Sequence, residues 1–135
     1  MYSFEHIQGL VDFAKCHKFS FPKGFDENST DDLAKKYNGI GAEWLPSNAR
    51  KILTYFLRHL EPASLVHDVE YLSEDKSYLS FTRANMRLIY NAAKSGYFFS
   101  GLSCGLICQV FGWSAWKEGK ETMAWDHYLK ETEDE

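Results

Sequence analysis

Residues 61–71 read Glu61-Pro62-Ala63-Ser64-Leu65-Val66-His67-Asp68-Val69-Glu70-Tyr71, which puts an imidazole, a carboxylate and a phenol on one short helix. Pro62 suits the first helical turn, where its missing N–H goes unused and its fixed φ is already helical. Helical spacing makes His67 and Tyr71 neighbours at i, i+4, with Ser64 one turn before His67 on the same side. Asp68 is rotated about 100° away, so the histidine and the aspartate face different surroundings. Such a pair can divide labour, one handling a proton and the other holding a cation. The same spacing also serves a helix whose His67 and Tyr71 make core hydrogen bonds and whose Asp68 is solvated.

Working outward, the polar turn Ser73-Glu74-Asp75-Lys76-Ser77 separates this helix from a second one. Leu79, Phe81, Ala84, Leu88, Ile89 and Ala92 recur at helical period from about Tyr78 to Lys94, and Ser95-Gly96 marks the end. The short connection predicts two antiparallel helices, carrying His67 and Asn85. Upstream, Ser47 or Asn48 opens a helix running through Ile52, Leu53, Tyr55, Phe56 and Leu57 to Leu60. Phe4, Ile7, Leu10, Val11 and Ala14 predict an amphipathic helix over 3–16. Phe19-Ser20-Phe21-Pro22-Lys23-Gly24-Phe25 suits an extended surface segment or edge ribbon. Ser29 or Thr30 caps a short helix with Asp31 and Asp32 in its first turn and Lys35 and Lys36 in its last. Tyr37-Asn38-Gly39-Ile40-Gly41 then breaks it, Asn38 or Gly39 being able to adopt a left-handed conformation.

Residues 96–116 contain no charged side chain, a length near that of a membrane span. Gly101 and Gly105 form a GxxxG pair with aromatics at both ends of the run. Four glycines, several serines and Gln109 dilute its hydrophobicity, and the preferred reading is a buried or interface-facing helix. Beyond it, Met123, Ala124, Tyr128 and Leu129 suit a last short helix, and the acidic tail 130–135 has nothing apolar to bury and is expected to fray.

The 135 residues fit a single domain, and the chain is 44% hydrophobic and 16% aromatic, so several rings must be buried or form a sticky face. A net charge of −4 and short, interrupted basic groups such as Lys35-Lys36 and Arg50-Lys51 argue against a nucleic-acid partner. Cys16, Cys104 and Cys108 form neither an even framework nor a CxxC pair, and free thiols are the default. The first residues carry no secretory signal pattern, so an intracellular, reducing setting is expected. His6 and His17 have no acidic or cysteine partner at ligand spacing, and His59 lies too far from His67 to share a metal on one helix.

Taken in order, Tyr37-Asn38-Gly39-Ile40-Gly41, His67-Asp68-Val69-Glu70-Tyr71 and Arg83-Ala84-Asn85-Met86-Arg87-Leu88 resemble the phospholipase A2 superfamily. The likeness is to the disulfide-free branch of parvovirus capsids, bacteriophages and prophages: a Tyr-x-Gly-x-Gly loop, an HDxxY helix and a second helix with Ala-Asp. Phe111-Gly112-Trp113-Ser114-Ala115-Trp116-Lys117-Glu118-Gly119-Lys120 is similar to the ending of phage proteins carrying an HDxxY helix. The resemblance implies a mainly α fold with a phospholipase A2-like core over 37–120, preceded by a helical extension over 1–36. It also implies Ca²⁺ held by carbonyls of Tyr37, Gly39 and Gly41 and the carboxylate of Asp68. His67 would then be the general base for ester hydrolysis of a glycerophospholipid, with Tyr71 aligning the group that orients it. Its setting would be the cytoplasm of an infected or lysogenic bacterial host, or a virion.

Two departures stand out. Asn85 occupies the position of the family's orienting aspartate; its oxygen accepts a hydrogen bond but cannot stabilise an imidazolium by charge. The equivalent change in a serine protease costs on the order of 10⁴-fold, so weakened hydrolysis is implied. Twenty-five residues also separate Gly41 from His67, a longer gap than the family's. The competing expectation is an inactive accessory protein on the same scaffold, binding a protein partner through an aromatic face around Phe98, Phe99, Phe111, Trp113 and Trp116.

Overall fold

A computed structural model describes residues 3–37, 48, 58–73 and 75–118. Among these the chain is mainly helical and contains no strand. The α-helices are α1 (Phe4–Cys16), α2 (Thr30–Lys36), α3 (Glu61–Tyr71), α4 (Tyr78–Lys94), α5 (Phe98–Phe111) and α6 (Trp113–Glu118). Short 3₁₀ turns lie at Phe25–Glu27 and Arg58–Leu60.

Local chemistry sets the helix ends. Ser3, Ser29 and Ser77 each accept a backbone N–H from the first turn of α1, α2 and α4, and Asp32 completes a reciprocal capping box with Ser29. Pro62 lies in the first turn of α3, as expected. α4 spans the predicted range and closes at Gly96, whose φ of 88° is a left-handed conformation glycine adopts without strain. α2 ends on an extended Tyr37. The left-handed turn expected at Asn38 or Gly39, the body of the helix expected from Ser47 to Leu60, and the last helix near Met123 lie outside the described residues.

The core begins with Ile7, Leu10, Val11 and Ala14 of α1, which pack with Leu33, Leu65, Val66, Val69 and Leu88. The residues read as an N-terminal extension therefore share one core with the His67 helix. The segment 19–25 is not an edge ribbon: Phe19 and Phe25 are buried in that core, and a turn at 23–24 leads into the 3₁₀ helix that starts at Phe25. Two residues counted toward apolar stripes, Phe4 and Leu79, sit at the first turns of their helices and are exposed.

α3 and α4 are antiparallel: Tyr71 meets Phe81 near the connection, and His67 meets Asn85 farther from it. α5 returns antiparallel along α4. A Cβ on Gly101 would lie 2.2 Å from the Ala92 Cβ, and one on Gly105 2.5 Å from an Ile89 side-chain carbon, so these glycines allow the two helices to meet closely. The GxxxG pair thus serves contact within the chain. No helix among the described residues is long and apolar enough to cross a membrane, because the charge-free run breaks at Gly112 into α5 and α6.

Candidate functional site

α3 and α4 bring His67, Tyr71 and Asn85 together in the interior. His67 Nε2 lies 2.9 Å from Asn85 Oδ1, and the Tyr71 hydroxyl donates to the same oxygen at 3.2 Å. The His67 and Tyr71 rings also pack with centroids 4.4 Å apart, as i, i+4 spacing dictates. Asn85 in turn donates from Nδ2 to Gln109 Oε1 at 2.8 Å. Gln109 Nε2 donates to Thr82 Oγ1 at 3.0 Å and to the Tyr78 hydroxyl at 3.1 Å. With the oxygen of Asn85 turned to the ring, Nε2 carries the proton and Nδ1 holds the basic lone pair.

Burial pushes the His67 pKa down to about 4, and the hydrogen bond to Asn85 offsets this only in part, so the imidazole is neutral at pH 7. The ring is 5% exposed and Asp68 beside it 3% exposed. Asp68 is therefore buried and engaged in the fold, not solvated.

Of the residues expected to hold Ca²⁺, Tyr37 and Asp68 are described, whereas Gly39 and Gly41 lie outside the described residues. Tyr37 is buried, with its side chain beside Glu61 at the start of α3, where it favours the charged carboxylate slightly. No cluster of three or more His, Cys, Asp or Glu side chains suited to a metal occurs among the described residues. The resemblance, however, asks for one carboxylate plus backbone carbonyls, all hard oxygen donors, and Asp68 with Tyr37 is chemically compatible with that set.

Sequence reasoning missed three parts of the site. Gln109 was read only as a polar interruption of an apolar run; a lone amide among apolar residues was the available signal. Glu70, buried on α3, forms an ion pair with the half-buried Arg87, and Arg87 Nε donates to Ser20 Oγ at 3.0 Å. Burial raises the Glu70 pKa despite the guanidinium, and its Oε1 has no hydrogen-bond partner among the described residues. His6, for which the sequence shows no acidic partner at ligand spacing, is exposed and meets Glu61 at 2.8 Å across the α1–α3 junction. Burial raises the Glu61 pKa, and His6 opposes the shift.

The expected aromatic face does not form as drawn. α6 folds back at Gly112, where a Cβ would lie 2.6 Å from the Tyr71 hydroxyl, and Trp116 becomes a wall of the site at 1% exposure. Its ring meets Tyr71 edge-on at 5.1 Å, while Trp113 packs on Phe81 at 5.4 Å. Phe98 and Phe99 alone of the described members remain exposed, and the side chain of Phe111 lies outside the described residues. No disulfide joins Cys104 to Cys108.

No family model, curated protein or solved structure matches this chain.

Proposed function

We propose that this chain is an attenuated phospholipase A2-like hydrolase of the phage or prophage kind, in which His67 Nδ1 takes a proton from a water attacking a glycerophospholipid ester. One observation carries the reading: Nε2 of a neutral His67 is held by Asn85 Oδ1 at 2.9 Å, with the Tyr71 hydroxyl on the same oxygen. That is the orienting arrangement the resemblance implies, assembled from residues 18 apart in sequence. A general base needs a neutral ring with a defined tautomer, and this network supplies both. Ca²⁺, when bound by Asp68 and the backbone carbonyls of Tyr37, Gly39 and Gly41, would polarise the ester carbonyl and stabilise the oxyanion. Asn85 lacks the charge to stabilise an imidazolium, which is why the proposed turnover is weak. The setting that goes with this reading is an infected or lysogenic bacterial host, or a virion.

A second reading, a catalytically inactive interaction protein on the same scaffold, draws on the 5% exposure of His67. A ring so enclosed also serves as a neutral core group. Fatty-acid release from phosphatidylcholine vesicles, with calcium and with a chelator, separates the two. The hydrolase reading expects calcium-dependent release that disappears in His67→Ala and Asp68→Asn. Release absent from wild type and from Asn85→Asp alike, in folded protein, leaves the second reading standing.

A further inference from the structure

Residues 76–117 carry Lys76, Arg83, Arg87, Lys94 and Lys117 and no aspartate or glutamate. Their charge of +5, set against −4 for the whole chain, leaves −9 on the remainder. Within residues 76–117, α4 carries Arg83, Arg87 and Lys94 and α5 carries no charge, so this layer has cations and no acid on a protein that is acidic overall. Two of these cations are committed inward: Lys76 donates to the Tyr71 carbonyl at 2.7 Å, and Arg87 pairs with Glu70. Arg83, Lys94 and Lys117 are exposed. Asp75 borders the layer near Arg83 as a charged carboxylate that accepts from the Ser80 hydroxyl and the Ser77 N–H at 2.6 and 3.0 Å, which leaves Lys94 and Lys117 as the cations farther from it.

The same layer exposes large apolar side chains. Leu79, Met86 and Tyr90 form one outer stripe of α4, at i, i+7 and i+11, with Arg83 and Lys94 in the same row. Phe99, Leu106 and Val110 form the outer stripe of α5, with Phe99 81% and Val110 69% exposed. Monomeric soluble proteins scatter such residues singly, whereas these lie on two adjacent antiparallel helices. Lys94 lies over the Tyr90 ring at 5.3 Å, so its stem runs along apolar surface while its charge stays outside.

We infer that the outer face of α4 and α5 docks in plane on an anionic lipid surface, the apolar stripes entering the headgroup boundary and Arg83 and Lys94 meeting lipid phosphates. The charge pattern selects this occupant. A second copy of the chain, paired face to face, would set Arg83 and Lys94 against their own equivalents. The small-residue stripe suited to helix pairing is already filled by Ala92 and Ile89. An anionic lipid surface accepts both the apolar side chains and the cations. The inference extends the proposed hydrolysis by naming the lipid surface, yet docking uses none of the residues assigned to the chemistry.

Flotation of the full chain with vesicles tests it, using phosphatidylcholine alone and an equal mixture with phosphatidylglycerol. Wild type floats with the mixed vesicles, less as salt rises, and much less with phosphatidylcholine alone. Arg83→Ser and Lys94→Ser each weaken binding about fivefold, the share expected of one cation near an anionic surface. Phe99→Ser/Val110→Ser weakens it about tenfold or more, with circular dichroism unchanged. Wild type that floats with the mixed vesicles but releases no fatty acid from them counts against the catalytic reading alone. Wild type that floats with neither vesicle, variants that float as well as wild type, or a self-association that Phe99→Ser/Val110→Ser abolishes in place of vesicle binding each overturn the inference.

Discussion

At Asn85 a single side chain sets the tautomer of His67, while burial sets most of its basicity and Asn85 offsets part of it. Hydroxyl groups at Tyr71, Thr82 and Tyr78 can donate or accept, so the polarity of the network rests on how the Asn85 and Gln109 amides are turned. Asn85→Asp removes that freedom, because a carboxylate only accepts and Gln109 can present its NH₂ in reply. The expected outcome is a His67 pKa raised from about 4 toward its ordinary 6.5, seen by NMR titration of the ring, together with faster ester hydrolysis. Stability also follows this ring. A folded pKa below the unfolded one means that the unfolded chain binds more protons between pH 6.5 and about 4. The stabilising contribution is then complete above about 6.5 and is lost as pH falls through that window, by on the order of 3 kcal/mol. Urea unfolding of His67→Gln across the same range should give a distinctly flatter profile than wild type; parallel profiles would contradict the burial assigned to the ring. Glu61 and Glu70, whose pKa values are raised, act in the opposite sense above their ordinary value of 4.5, and the comparison with His67→Gln cancels them.

Between elements, the α4–α5 contact places Gln109 over Asn85, and its closeness depends on two missing methyl groups. Gly101→Ala puts a Cβ 2.2 Å from that of Ala92, which forces the helices apart. Alanine gains up to about 1 kcal/mol of helix propensity over glycine, but overpacking costs about 1–3 kcal/mol, so net destabilisation is expected. Moving the methyl across the interface in Ala92→Gly/Gly101→Ala should recover much of the loss, and chemical denaturation of the single and double variants measures the coupling. The same spacing explains why GxxxG in a charge-free run resembles a membrane motif here without being one. Close approach is what small residues provide, and the partner helix lies within the chain.

Across the whole molecule, the Glu70–Arg87 pair joins α3 to α4 and, through Ser20, to the segment that follows α1. Asn91 adds two bonds to the Ser20 backbone, at 2.7 and 2.9 Å. Arg87→Met leaves Glu70 buried without its cation and should cost about 3–5 kcal/mol at neutral pH. The loss should shrink as pH falls and the carboxyl protonates. Glu70→Gln/Arg87→Met should lie much closer to wild type in urea unfolding, because the uncompensated charge is gone. Additive losses would show that the pair acts as two separate packing groups.

The helices, their ends and most of their buried faces were legible in the order of residues, since capping serines, Pro62, Gly96 and a 3.6-residue apolar period act within a turn or two of where they stand. The HDxxY helix and its antiparallel neighbour followed from the same local rules. What reached Asn85 from Gln109, Glu61 from His6, and Arg87 from Glu70 and Ser20 was decided only by tertiary structure. A buried hydrogen bond or ion pair joins groups tens of residues apart and leaves no periodicity behind. Fold-back at Gly112 likewise turned Trp116 from a surface aromatic into a wall of the site, because burial of an indole is settled by what packs above it and not by its neighbours in sequence.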